Sequence, residues 1–74
     1  MTLYDAPVGG CYRVVAIYSK PSLKLRLSAL GLTKGAQVTV LSRGRSAVVF
    51  RVRGARYAAA KGAASCVILS QTRR

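Results

Sequence analysis

Apolar residues recur with two different periods along this 74-residue chain. Cys11 to Tyr18, Cys-Tyr-Arg-Val-Val-Ala-Ile-Tyr, is rich in β-branched and aromatic residues and predicts a strand. Tyr12, Val14 and Ala16 share one face of it, and Arg13, Val15 and Ile17 share the other. Apolar residues on both faces predict a strand partly covered on each side, or a bulge near Ala16. Period two is cleanest at Gln37-Val38-Thr39-Val40 and where Val48, Phe50 and Val52 alternate with Val49, Arg51 and Arg53. Between these two strands Leu41 is expected to begin a bend, and residues 42–46 a hairpin loop built on Gly44. Gly54 starts a tight reversal into residues 55–60, and Lys61-Gly62-Ala63-Ala64 resembles a helical turn. Cys66 to Leu69 reads as a short final strand, after which residues 71–74 are expected to fray.

Between the first two strands the period changes to that of a helix. Leu23, Leu27 and Leu30 form one apolar stripe that should face the core. Pro21 suits the first turn, where its missing N–H would be unpaired anyway, and Ser19 or Ser22 could supply the cap. Leu25 falls on the opposite side with Ser28 and Ala29. An off-face leucine packs under a neighbouring loop or meets a partner. Gly31 stands where a left-handed C-terminal cap is needed, and Gly35 reads as a second tight turn. At the start of the chain Leu3 anchors a lead-in that Pro7 and the Gly9-Gly10 turn bring to an end.

Five short strands with one helical insert, about residues 21–30, predict a mainly-β fold. The natural candidate is a small SH3-like antiparallel barrel, closed by pairing the first strand with the last. The length allows one domain, residues 1–74, near the lower limit for folding without disulfides or metals. No apolar run approaches ~18 residues, so no membrane-spanning helix is expected. The start lacks a basic stretch followed by an apolar one, so no signal peptide is visible and a cytoplasmic location is expected.

Charge changes the picture more than length does. Thirteen Lys and Arg stand against one acid, Asp5, for a net charge of +12. Such a surface attracts polyanions: nucleic acid, anionic lipid headgroups at the inner face of a membrane, or an acidic protein face. The basic residues are spread along the chain with no block of five or six, so this is not a basic tail. Tyr4, Tyr12, Tyr18 and Tyr57 stand among them, as a nucleic-acid-binding barrel would need for base stacking. The plainer reading makes them half-buried packing groups.

Chemistry is scarce. The chain has no His, so the commonest general base and metal ligand is absent. One carboxylate cannot supply an acid and base pair, and no Gly-Lys-Ser/Thr phosphate loop exists. An enzyme is not expected. Cys11 and Cys66 are too few for a metal cluster, and two thiols leave a coordination sphere half empty even if pairing of the first and last strands brings them together. Buried or half-buried thiols are expected instead. No cofactor and no metal site of the protein alone is expected.

The phrase Arg26-Leu27-Ser28-Ala29-Leu30-Gly31-Leu32-Thr33-Lys34-Gly35 resembles the signature of the ferrous iron transport protein A (FeoA) family. The likeness begins at Leu3 and Gly9-Gly10, passes through Val14 and Ile17, and resumes at Val52-Arg53-Gly54 and Val67-Ile68-Leu69. Two stretches depart from it. Arg-Gly-Arg-Ser-Ala at 43–47 replaces a Gly-Asp-Pro-like turn, and residues 59–64 lack the acid of a Leu-Arg-x-x-Glu-Ala phrase. The resemblance implies a small cytosolic accessory of bacterial iron(II) uptake, a protein–protein interaction module. Its implied partner is the Feo iron(II) permease, whose cytosolic face includes a GTP-binding domain. The same barrel also resembles the C-terminal domain of some metal-dependent repressors. Candidate partner contacts are the exposed side of the helix (Leu25, Ser28, Ala29) and the loop residues Arg43 and Arg45, while Gly31, Gly35 and Gly54 serve as structural turns.

Overall fold

The computed structural model describes residues 1–71. One antiparallel sheet contains all five strands: β1 (Cys11–Ile17), β2 (Gln37–Arg43), β3 (Ala47–Val52), β4 (Ala55–Ala60) and β5 (Val67–Gln71). Their order is β4-β3-β2-β1-β5: β1 pairs with β5 as expected, but β4 and β5 do not pair, so the pairing of first and last strands does not close the sheet by hydrogen bonds. Helix α1 (Pro21–Ala29) joins β1 to β2, and a single turn, α2 (Lys61–Ala64), joins β4 to β5. The mainly-β, SH3-like architecture expected from the alternation is the one observed.

Period two decides which face is buried. Val38 pairs with Tyr12 on one side and Val52 on the other, and Val40 pairs with Phe50, which pairs with Tyr57. These rows, with Val14, Val48, Val67 and Leu69, put their side chains on the inner face and are almost fully buried there, Tyr57 alone being half-buried. Leu3 and Ala6 close the core from the N-terminal lead-in, Leu27 and Leu32 from the helix and its turn. Leu23 and Leu30 pack against the core edge, so the helical stripe faces inward as its spacing predicts. No described polar side chain is buried, so burial of methyl groups carries the stability, at about 1.5–3 kcal/mol for each Val, Leu or Phe fully covered.

A bulge decides between the two readings of β1, and two element boundaries move. Between Val14 and Ala16 the β1–β5 ladder slips by a residue, the bulge that the mixed faces of β1 predicted, and it turns Val15 out to solvent. Leu41 does not end β2. A second irregularity between Val40 and Ser42 absorbs it, and the strand runs on to Arg43, shortening the loop to residues 44–46. The last strand starts at Val67 rather than Cys66 and includes Gln71; the fraying expected beyond it, at residues 72–74, lies outside the described residues.

Candidate functional site

Helix α1 begins without a side-chain cap. Lys20 occupies the cap position in extended geometry; Ser19 turns its hydroxyl to the Lys20 carbonyl and Ser22 makes no cap bond, so neither serine caps the helix. Pro21 removes one of the N–H groups that a cap would satisfy. The other end is firmly closed. The Leu32 N–H donates to the Leu27 carbonyl (3.1 Å) and the Gly31 N–H to that of Ser28 (2.9 Å), the paired bonds of a Schellman turn. Gly31 has φ +104°, and the flanking Leu27 and Leu32 are both buried. Gly35 (φ +90°) and Gly54 (φ +78°) also take positive φ, as expected of turn residues.

This closure fixes α1 against β1 and leaves a groove of about 370 Å³ between them. Its walls include Val15 and Tyr18 from the end of β1, Lys24 and Ser28 from α1, and Thr33 and Lys34 from the following turn. Leu25 lies on the outward face of α1, next to Lys24 and one turn before Ser28. Leu25 does not pack under any loop: it is 73% exposed, as is Tyr18, while Val15 is 43% exposed. Ala29 is exposed and Ser28 half-buried on the same side of the helix. Val15 and Tyr18 leave exposed apolar surface in the groove beside Lys24 and Lys34, and Leu25 adds more on the neighbouring face of the helix. Sequence reasoning singled out Leu25, Ser28 and Ala29 but not Val15 or Tyr18. The out-of-phase valine of β1 was the available signal.

The loop residues have a different position. Arg43 donates from Nη1 to the carbonyl oxygens of Tyr4 (2.9 Å) and Ala6 (3.1 Å). The Tyr4 hydroxyl shares its proton between the carbonyls of Gly44 (2.7 Å) and Arg45 (2.8 Å), and Lys61 Nζ sits 5.4 Å from the Tyr4 ring centre. Together they latch the N-terminal lead-in to the β2–β3 hairpin. Arg43 thus has an internal task, whereas only the backbone of Arg45 takes part in the latch.

Other candidate chemistry disperses. Antiparallel pairing sets Tyr12 beside Gln71 and Ile17 beside Val67, so Cys11 and Cys66 lie at opposite ends of the ladder. Six residues of extended chain separate their levels by about 20 Å, so they do not meet. Cys11 is also exposed rather than buried, while Cys66 is half-buried as expected. Among the described residues no three of His, Cys, Asp and Glu come together. The tyrosines do not form a stacking platform: Tyr12 is buried with its hydroxyl on the Pro7 carbonyl (2.9 Å), Tyr4 is held in the latch, and Tyr57 packs at 6.1 Å from Phe50. Tyr18 alone is freely exposed. Among the described residues no helix is long and apolar enough to cross a membrane.

A five-stranded antiparallel sheet with a helix between its first two strands is an SH3-like domain. The family model for the FeoA domain matches residues 1–71, and the chain belongs to the FeoA family. Among solved structures it is similar to an iron uptake regulatory protein, FeoA, with 30% identity, TM-score 0.86, and coverage of 93% of this chain and 96% of that one. It is also similar to the Stenotrophomonas maltophilia FeoA complexed with zinc and described as a procaryotic SH3 domain protein, at 24% identity, TM-score 0.82, covering 95% of this chain and 89% of that one. A manganese-dependent transcriptional repressor shares the fold over 90% of this chain and 39% of its own, at 17% identity and TM-score 0.83. Comparison with curated protein sequences finds no match.

Proposed function

We propose that this chain is a non-catalytic, cytosolic accessory of ferrous iron transport that docks on the iron(II) permease and its GTP-binding domain. The observation that carries the reading is the groove between α1 and β1, walled by the exposed Val15 and Tyr18, with the exposed Leu25 on the neighbouring outward face of α1. Exposed aromatic and aliphatic anchors at the centre of a patch, with cations at its rim, are what a protein interface requires. Lys24 and Ser28 supply the helix wall of the groove, and Leu25 and Ala29 extend the interface over the outward face of α1. Arg45 lies at the other end of the sheet, beyond the Cys11 end of β1, and would be a separate contact whose hairpin Arg43 holds in place. A resident metal has no part in the reading: the Stenotrophomonas relative is complexed with zinc, but this chain offers no His, one side-chain carboxylate, and two thiols about 20 Å apart.

The net charge of +12 adds attraction to anionic lipid around the permease, roughly 1 kcal/mol for each basic residue near the surface. The nucleic-acid alternative loses its stacking groups, since three of the four tyrosines are occupied inside the fold. A pull-down of the permease's cytosolic domain, with and without guanine nucleotide, tests the docking. Leu25→Asp should reduce capture at least tenfold while the fold, read by circular dichroism, is unchanged. Capture of the variant at the wild-type level would refute the docking face.

A further inference from the structure

The sheet has two ends, and they are treated differently. At β5 the outer edge is covered by the N-terminal lead-in: Thr2 bridges Ile68, the Leu3 N–H donates to the Val67 carbonyl (2.9 Å), and the Leu69 N–H to the Met1 carbonyl (2.7 Å). At β4 the sheet stops, and no described residue pairs with its outer edge. Which groups that edge presents follows from the turn. Val52 and Ala55 flank a two-residue turn, so they are a hydrogen-bonded pair, and Phe50–Tyr57 and Val48–Ala59 repeat that pattern. Arg51–Arg56 and Val49–Ala58 are therefore the pairs that exchange no bonds. The N–H and C=O of Arg56 and Ala58 point away from β3, toward the open side.

That open side is walled. A groove of about 280 Å³ runs between β4 and the flank of α1, with Leu23, Arg26 and Leu30 facing Ala58, Ala59 and Ala60. It lies across α1 from the docking groove at β1. Two cations stand beside it, Arg26 on the helix and Arg56 on the strand, both exposed. Arg56 is directly opposite Arg51, a like-charge pair that disfavours the sheet by a few tenths of a kcal/mol and has no carboxylate to offset it; the one acid of the chain, Asp5, belongs to the lead-in. Of the devices that blunt exposed edges, β4 has no bulge and no proline; its one charge is Arg56, which an acidic strand would neutralise.

From this geometry we infer that an extended acidic segment of a partner protein adds to the edge of β4. Its backbone pairs with Arg56 and Ala58, alternate apolar side chains enter the groove against Leu23 and Leu30, and the intervening carboxylates meet Arg56 and Arg51. Charge selects this occupant over a second copy of the chain. Each copy carries +12, and pairing β4 with its equivalent would bring four arginines together with no counter-ion. The inference concerns a surface other than the one that carries the proposed docking, and the two stand or fall separately.

Titration of the isotope-labelled full chain with a capped peptide of alternating Glu and Val tests it. Saturable shifts and slowed hydrogen exchange are expected at the Arg56 and Ala58 amides. The same peptide with Lys in place of Glu should not bind, and Arg56→Glu should weaken the acidic peptide about tenfold or more. Ala58→Pro removes an outward N–H and should abolish pairing with the β1 and β2 signals unchanged; if that variant fails to fold, a peptide N-methylated at alternate residues makes the same test. Equal binding of the Lys peptide, an unaffected Arg56→Glu, or shifts that bypass Arg56 and Ala58 would overturn the inference. So would the absence of saturable binding, or the same two amides responding to an RNA oligonucleotide or anionic vesicles and not to the peptide.

Discussion

Replacing Gly31 with Ala should destabilise the domain through the backbone rather than through a lost contact. Gly31 holds φ +104° so that its own N–H and that of Leu32 can reach the Ser28 and Leu27 carbonyls. A residue with a Cβ in that region costs about 1–3 kcal/mol. The added Cβ would also stand 3.0 Å from Cδ and 3.3 Å from Nε of Arg53, close contacts with a flexible side chain that can swing away. Backbone strain is therefore the larger effect. For a domain of this size 1 kcal/mol shifts Tm by roughly 4–8 °C, so Gly31→Ala should lower Tm by about 4–24 °C. Thermal unfolding of Gly31→Ala, Arg53→Ala and the double variant separates the two causes: coupling between the sites should stay within about 0.5 kcal/mol. A wild-type Tm for Gly31→Ala, or full rescue by Arg53→Ala, would refute the reasoning.

Three further outcomes are expected. Arg53 and Gly54 both have positive φ (56° and 78°) in a two-residue type I′ turn, so Arg53→Asn, which supplies the favoured Asn-Gly pair, should raise Tm by a few degrees; a fall in Tm would contradict that turn assignment. Mild oxidation should leave both thiols of the monomer titratable and form bridges only between molecules, through exposed Cys11 and suppressed by Cys11→Ser; an internal bridge would contradict the β1–β5 register. Because thirteen cations face one acid, added salt should raise Tm by screening self-repulsion, and a Tm indifferent to salt would show the surface charge to be thermodynamically idle.

Most of the fold was legible in the sequence because its strands alternate so plainly. Val38, Val40, Val48, Phe50 and Val52 could face the core in only one register, and all five are buried. The bulge in β1 was visible as apolar residues on both faces. What local pattern could not convey was tertiary. Nothing in the spacing of Cys11 and Cys66 says which end of a ladder each occupies; the antiparallel sense of β1 and β5 decides that. Tyr12 and Tyr57 look like stacking groups until the Pro7 carbonyl and the Phe50 ring are found beside them. Arg43 reads as a free loop charge because its partners, the Tyr4 and Ala6 carbonyls, lie almost forty residues away. Leu32 gained its importance from the Schellman turn, since a buried residue just after a glycine cap belongs to no periodic stripe. The exposed helix side was half legible: Leu25 stood out from its stripe, but Val15 and Tyr18 joined it only once β1 had been placed against α1.

The central claim is that the chain engages the permease's cytosolic domain through the α1–β1 groove. Hydrogen-exchange protection of this chain, measured alone and with that domain bound to a GTP analogue, tests it most directly. Protection concentrated on residues 15–18 and 24–29, and lost in Leu25→Asp, is the predicted result. Unchanged exchange across those residues at saturating partner would contradict it.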